Sequence, residues 1–421
     1  MGAFVIRGCE IYLGGAFVPA ELEVRGGVVT ALGGGIVPGE GASVYNFKNC
    51  IVVPGLADVH VHLREPGFSY KETVASGTRA AARSGYAALC AMPNLSPVPE
   101  DAATLAQELD IIRRDAVIDV LPYGAITRGQ KGEQLADMSA MSPYVCGFSD
   151  DGRGVQSREL MRAAMLEAKR LGRPIAAHCE DNSLLRGGYI HAGEYAKAHG
   201  HRGICSESEW GPIARDIELL RETGCAYHVC HISTAESAAL IRSAKREGLD
   251  ITCETAPHYL LLSDSDLQED GRFKMNPPLR SERDRLALIE ALRDGTIDIL
   301  ATDHAPHSRE EKSRGLAGSA FGITGLETAF PLLWTGLVEP GIISRERLIE
   351  LMSTAPARRF GIESGIEPGG PATFAVFETE TTYRIDPERF ASKGRATPFA
   401  GREVRGRCVL NIVRGREVWR A

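Results

Sequence analysis

The sequence predicts an α/β protein: a (β/α)8 TIM-type barrel with a small β-sandwich domain formed by the N- and C-terminal segments. Three observations predict it. Between Pro54 and Phe360, eight short apolar runs alternate with amphipathic helical segments, the strand count of such a barrel. The residues before and after that region show strand-like alternation and glycine turns, with no helical period. A length of 421 residues suits one barrel plus a smaller unit.

The head should form strands over 3–13, 20–28 and 43–53. Barrel strands are expected over 56–62, 87–92, 118–125, 144–148, 174–179, 225–231, 251–255 and 297–302. Helices fit between them, as over 73–84, 101–114, 157–171, 207–222 and 234–247. After Phe360 the helices stop, and 372–378, 403–410 and 411–419 again read as strands. Neither end alone offers enough strands for a stable sheet, so the two ends should pair. The expected division is 1–53 with 362–421 as the small domain and 54–361 as the barrel. No internal repeat is visible.

The composition is that of a globular protein: 43% hydrophobic and 24% charged, with 46 glycines. A net charge of −7 with mixed signs argues against nucleic acid or a membrane surface as partner. No apolar run approaches the roughly 20 residues of a membrane span. Residues 1–15 lack the charged-then-apolar pattern of a secretory signal. The ten cysteines include no CxxC pair and fit buried free thiols in a reducing compartment. These features predict a soluble cytoplasmic protein.

The chemistry starts at Asp58-Val59-His60-Val61-His62. On a strand, Asp58, His60 and His62 share one face and the two valines the other. Two imidazoles two residues apart can close on one metal ion, and Arg64 follows at once, where an anionic substrate could meet both. Barrel enzymes place reactive groups at the C-terminal ends of strands. Here strand four ends in Ser149-Asp150-Asp151, strand five at His178, strand six at His231 and strand eight at Asp303. Nitrogen and carboxylate donors without thiolate suit zinc, and could also hold cobalt or manganese. Four histidines and two aspartates exceed the needs of one tetrahedral zinc that keeps a water. They are enough for two ions bridged by a carboxylate and a hydroxide, the latter a nucleophile at neutral pH. Asp303 would sit against that water and carry its proton to a leaving nitrogen.

These residues resemble the amidohydrolase superfamily pattern. Within it, His62-Leu63-Arg64-Glu65-Pro66-Gly67, Ala91-Met92-Pro93-Asn94, Ala177-His178-Cys179-Glu180-Asp181, the run Lys274-Met275-Asn276-Pro277-Pro278-Leu279-Arg280, and Ala301-Thr302-Asp303-His304-Ala305-Pro306-His307 look like the dihydroorotase family in its longer bacterial (class I) form. Ser392-Lys393-Gly394 and Thr397-Pro398-Phe399 extend the likeness into the tail. The resemblance implies His60, His62, His178 and His231 as metal ligands, with Asp303 as ligand and proton shuttle. Many superfamily members bridge two metals with a carboxylated lysine on strand four, but no lysine lies between Lys131 and Lys169. Class I dihydroorotases use an aspartate there. Asp151 matches, with Asp150 its rival. Zinc, one or two ions with two favoured, is the implied cofactor.

The implied substrate is a six-membered cyclic amide bearing a carboxylate. Arg64 offers that carboxylate a planar fork. His62, Asn94 and His307 would add contacts, while Asn276 and the backbone at Phe321 and Gly322 would read the ring's amide edges. The implied reaction is reversible closure of N-carbamoyl-L-aspartate to (S)-dihydroorotate in pyrimidine (UMP) biosynthesis. A homodimer and an association with aspartate transcarbamoylase are implied partners. Rival readings are another ring amidase (allantoinase, dihydropyrimidinase or hydantoinase) or a catalytically silent structural subunit.

Other residues have plainer readings. Asp58 should steady the histidines from behind. His304 should point away from Asp303, and His258 should be buried with a backbone partner. His191, His199 and His201 read as surface residues. Cys179 and Cys230 should pack on faces opposite their histidine neighbours. Arg64 could merely pair with Glu65. The run Ser308 to Arg314 reads as a solvated, mobile loop able to close over the site.

Overall fold

The structure, a computed structural model, describes residues 2–421. The chain opens with five strands: β1 (Phe4–Leu13), β2 (Ala16–Arg25), β3 (Val28–Gly33), β4 (Ser43–Asn46) and β5 (Cys50–Pro54). The barrel follows as β6 (Leu56–Val61), β7 (Tyr86–Ala91), β8 (Asp119–Ala125), β9 (Gly147–Ser149) and β10 (Ile175–Ala177). Outside it lies a short parallel pair, β11 (Ile190–His191) and β12 (Gly203–Ile204). Then β13 (Tyr227–Val229), β14 (Ile251–Thr255) and β15 (Ile299–Leu300) complete eight parallel barrel strands in sequential order. The ring closes where the His62 N–H donates to the His304 carbonyl at 2.9 Å, beside a Val61–His304 bridge.

The helices form where their signals predict. Thr73, Asp101, Ser157, Thr234 and Ser281 each accept a first-turn amide. Gly172 and Gly224 end two of them in the left-handed conformation. Each barrel strand buries both faces. Val59, Cys90, Tyr123, Cys146, Ala176, Cys230, Ile299 and Ala301 form one interior cluster, with Phe360 beneath. Leu56, Leu89, Ile175, Tyr227 and Val229 face the helices.

The tail supplies β16 (Phe374–Glu378), a two-stranded pair β17 (Tyr383–Arg384) and β18 (Glu403–Val404), and the hairpin β19 (Arg407–Val413) and β20 (Arg416–Arg420). Head and tail share one sheet in the order β20-β19-β16-β5-β1-β2-β3, with β4 also on β1. The sheet curls over its own apolar face, where Phe4, Ile6, Ile11, Leu22, Phe374, Leu410 and Ile412 cluster. Its ends meet at two glycine turns. Ala372 N–H donates to the Gly27 carbonyl at 2.9 Å, and Gly415 N–H to the Ala372 carbonyl at 2.7 Å. A Cβ on Gly415 would lie 2.0 Å from Gly27.

Several boundaries differ from expectation. The 43–53 strand breaks at Asn49, which has φ 59°, and the 20–28 strand at Gly26-Gly27. The last hairpin turns at Arg414-Gly415 rather than after Leu410, because both residues there take positive φ. A bulge between Asp58 and Val61 breaks the alternation of β6. Val59 consequently packs inside the barrel and Val61 outside, instead of sharing a face. The ladders of β10, β13 and β15 stop short of their predicted ends. His231 and Asp303, with φ 34° and 48°, turn the chain out of the sheet at two of those ends.

Candidate active site

Six side chains converge at the C-terminal mouth of the barrel, and all six are buried. Asp151 is at their centre. Its Oδ1 lies 3.3 Å from His60 Nε2, 3.4 Å from His178 Nδ1 and 3.4 Å from His231 Nε2. Its Oδ2 lies 3.5 Å from His62 Nε2. Asp303 Oδ1 is 3.2 Å from His62 Nε2 and 3.7 Å from His60 Nε2. His178 Nδ1 and His231 Nε2 are 2.9 Å apart. Burial opposes ionisation of Asp151 and Asp303, but the surrounding histidines hold both carboxyls below the ordinary range.

This donor set fits a metal. His60 Nε2 and Asp151 Oδ1 are buried with no hydrogen-bond partner, a cost that a shared cation removes. His60, His62 and Asp303 form one group whose ligand atoms lie within 4.8 Å of one another, and His60, Asp151 and His231 form another. Asp150 does not join them. It turns toward the end of β8, where Oδ1 accepts the Ile126 and Thr127 amides at 2.8 and 3.0 Å. Burial leads the shift of its carboxyl, up to about 6.

Groups outside the cluster orient it. Glu254 on β14 accepts from His60 Nδ1 at 2.6 Å, His228 Nε2 at 3.0 Å and the His231 amide at 3.2 Å. A carboxylate inside the apolar run Ile251–Thr255 was the signal that marked Glu254, and sequence reasoning passed over it. Glu180, two residues past His178 in the segment that follows β10, was missed as well. It lies 3.5 Å from His178 Nε2 and accepts from Asn276 Nδ2 at 2.9 Å. Asp58, within β6, takes the His60 amide at 3.1 Å and the Thr302 amide at 3.2 Å.

Arg64 enters beside the cluster at φ 62°, buried, with Nε donating to the Pro306 carbonyl at 3.3 Å. It does not pair with Glu65, whose carboxylate instead takes the Val74 amide at 3.0 Å. Among the described residues, no carboxylate lies within ion-pair distance of Arg64. Burial lowers its pKa to about 10. Asn94 Oδ1 pairs with His62 Nδ1 at 2.8 Å. His307 lies 3.3 Å from Arg64 Nη2 and donates through Nε2 to the Phe321 carbonyl at 2.7 Å. Burial, aided by Arg64 and Lys71, brings its pKa down to about 3. The Gly322 N–H is committed to the Lys274 carbonyl at 3.1 Å. Asn276 Oδ1 is buried without a partner.

Four of the plainer readings need correction. His191 is buried beside Arg280, 3.4 Å from Nη1, because β11 folds under the loop Arg280 anchors. His258 Nε2 finds no partner, backbone or otherwise. Burial takes its pKa to about 4, against the weaker pull of Asp303. Cys230 lies inside the barrel with His60 and Glu254, and alternation along β13 would send His231 outward. The left-handed turn at His231 brings both to the same side. The 308–314 run is built structure: Ser308 caps the helix Arg309–Lys312 through the Glu311 amide, and Lys312 is buried. His304 follows expectation, its ring turned to Glu72 and the Gly325 amide.

A family model described as dihydro-orotase-like matches residues 49–237. A dihydroorotase of Bacillus caldolyticus is 46% identical over 422 residues, covering 100% of this chain and 99% of the relative. One from Fusobacterium nucleatum is 46% identical, covering 98% and 97%. Among solved structures, an L-hydantoinase (dihydropyrimidinase) from Arthrobacter aurescens superposes with a TM-score of 0.88 at 25% identity, covering 100% of this chain and 96% of that one. A dihydropyrimidinase from Brevibacillus agri gives 0.86 at 22%, covering 99% and 95%, a likeness of fold alone. Full-length identity to the first group is nearly twice that to the second, and Asp151, at the end of a fourth strand without lysine, stands at the centre of the cluster. The chain belongs to the dihydroorotase family.

Proposed function

We propose that the chain catalyses the reversible cyclisation of N-carbamoyl-L-aspartate to (S)-dihydroorotate, with release of water, in de novo pyrimidine biosynthesis. The observation that carries this reading is Arg64, a buried guanidinium with no carboxylate partner beside the histidine–aspartate cluster. A buried cation needs an anion, and the substrate's carboxylate supplies one. Neutral ring amides offer none.

In this reading His60, His62, Asp151, His178, His231 and Asp303 would hold zinc, with Asp151 the shared carboxylate at the centre of the set. When bound, the metal supplies an activated water and polarises the carbonyl it attacks. Asp303 takes the water's proton and returns it to the ring nitrogen as the C–N bond breaks. In the synthetic direction it removes a proton from the carbamoyl nitrogen. Arg64, Asn94 and His307 hold the carboxylate end. His62 borders the substrate as well as the metal, and Asn276 with the Phe321–Gly322 backbone faces the amide edge.

The family resemblance also supports a cytoplasmic homodimer and an association with aspartate transcarbamoylase. The shared head-and-tail sheet supports a division into 1–53 with 362–421 and 54–361. No helix among the described residues is long and apolar enough to cross a membrane. Turnover of dihydroorotate, allantoin, hydantoin and dihydrouracil by the zinc-loaded protein tests the substrate. Activity confined to dihydroorotate is expected, and its absence there sinks the reading. Metal analysis separates an enzyme from a silent subunit, which would carry no stoichiometric zinc.

A further inference from the structure

Lys312 is a buried lysine whose ammonium meets no carboxylate within ion-pair distance among the described residues. It donates to two backbone carbonyls, Lys274 at 3.0 Å and Ala320 at 2.8 Å. The Lys274 carbonyl also accepts the Gly322 N–H at 3.1 Å, so one oxygen joins three segments. Lys274 reciprocates. Its own ammonium donates to the Ala317 carbonyl at 2.9 Å and sits 4.6 Å over the Phe321 ring. The Ala320 N–H returns to the Glu311 carbonyl at 3.0 Å. A lysine held this way gives up hydration and gains no ion pair, a cost with no return in simple stability. Burial and the neighbouring Lys274 charge bring its pKa down to about 7, against the weaker pull of Asp270 and Glu311.

What Lys312 ties together is specific. Lys274 lies two residues before Asn276, and Ala320 immediately precedes Phe321 and Gly322. Both loops border the mouth of the barrel, and neither hydrogen-bonds the other through any further backbone pair than Gly322 to Lys274. Gly322 tolerates no side chain, since a Cβ would lie 2.5 Å from the Ala305 carbonyl oxygen. The two loops meet directly through the Gly322–Lys274 backbone bond, the Lys274–Ala317 contact and close packing at Gly271, where a Cβ would lie 2.2 Å from Ser319 Oγ, and the Lys312 ammonium adds a tie to a carbonyl of each.

We propose that Lys312 is a positioning residue for substrate, fixing the distance between Asn276 and the Phe321–Gly322 backbone across the ring-binding space. This rests on the reading of those groups as substrate contacts.

The test is Lys312→Met in the zinc-loaded, full-length protein, with Asn276→Ala alongside. For Lys312→Met, KM for dihydroorotate should rise about 10-fold while kcat stays within about 3-fold and zinc content is unchanged. Backbone hydrogen exchange should quicken over 271–276 and 314–322 and stay as in the parent over the barrel strands. A KM within about 2-fold of the parent, while Asn276→Ala raises it, overturns the proposal. Unchanged exchange at the two loops, or faster exchange throughout the barrel, overturns it too. If the parent protein does not turn over dihydroorotate, the functional reading fails separately, and the exchange pattern still decides the clamp.

Discussion

In the proposed reaction Arg64 serves binding and Asp303 serves chemistry, and each assignment can be measured. Arg64 is buried beside the cluster, and its close polar contacts are a carbonyl and an imidazole. Arg64→Met should raise KM for dihydroorotate about 10- to 100-fold, the worth of a hydrogen-bonded charge, with zinc retained. A KM near the parent's would mean that the carboxylate is held elsewhere. Asp303→Asn keeps the shape of the side chain and loses its basicity. The expectation is a fall in kcat of about 10²- to 10⁴-fold, with calorimetric binding of dihydroorotate and melting temperature little changed. Near-normal turnover would remove the shuttle role. At this scale the cluster was legible because metal-competent residues stood at predictable strand ends. Glu254 and Glu180 were not, because their partners, His60 and Asn276, are distant in sequence.

Strand ends are where the site is made. The turn after β13 is held from behind by Glu209 in the helix Glu207–Thr223, which accepts the Ser233 and Thr234 amides at 2.9 and 3.1 Å and hydroxyls from Ser233, Thr234 and Ser237. Arg280 stands 3.6 Å from the same carboxylate and reaches the Ile204 carbonyl at 3.1 Å. Glu209→Ala strands these donors and leaves Arg280 buried without its counter-charge, a loss of about 3–5 kcal/mol. A lower melting temperature together with reduced zinc content is expected, since His231 begins this turn. A variant that melts lower but keeps full zinc would separate the latch from the ligand. The helices were predictable from caps and periodicity. The shortness of β13 and β15 was not, because left-handed φ at His231 and Asp303 is imposed by the site rather than favoured by those residue types.

Across the whole molecule, metal and proton binding should both register in stability. Removing zinc with a chelator should lower the melting temperature, and zinc added back to about 100 times its Kd should restore about 2.7 kcal/mol. Insensitivity to the chelator would argue against a metal in the cluster. His191 supplies a proton-linked effect away from the ligands. Burial, then the Arg280 charge, lowers its pKa to about 4. The unfolded chain therefore takes up a proton near pH 6.5 that the folded one refuses until near 4, and stability falls as pH drops through that window. His191→Gln keeps an acceptor toward Arg280 and cannot titrate. The decline in melting temperature between about pH 6.5 and 4 should be shallower in that variant.

The sequence by itself determined the barrel, the pairing of the two chain ends and the set of metal-competent side chains that would meet, because periodicity, capping and strand-end position are local properties written in residue order. Only the tertiary structure decided which aspartate faces the histidines, since Asp150 and Asp151 differ in direction and not in chemistry. Partner-dependent states were likewise out of reach of the sequence: the bare charge of Arg64, the orphan nitrogen of His258, the burial of His191 and the clamp at Lys312. Each depends on what distant segments bring alongside, and burial and pairing exist only once the chain has folded.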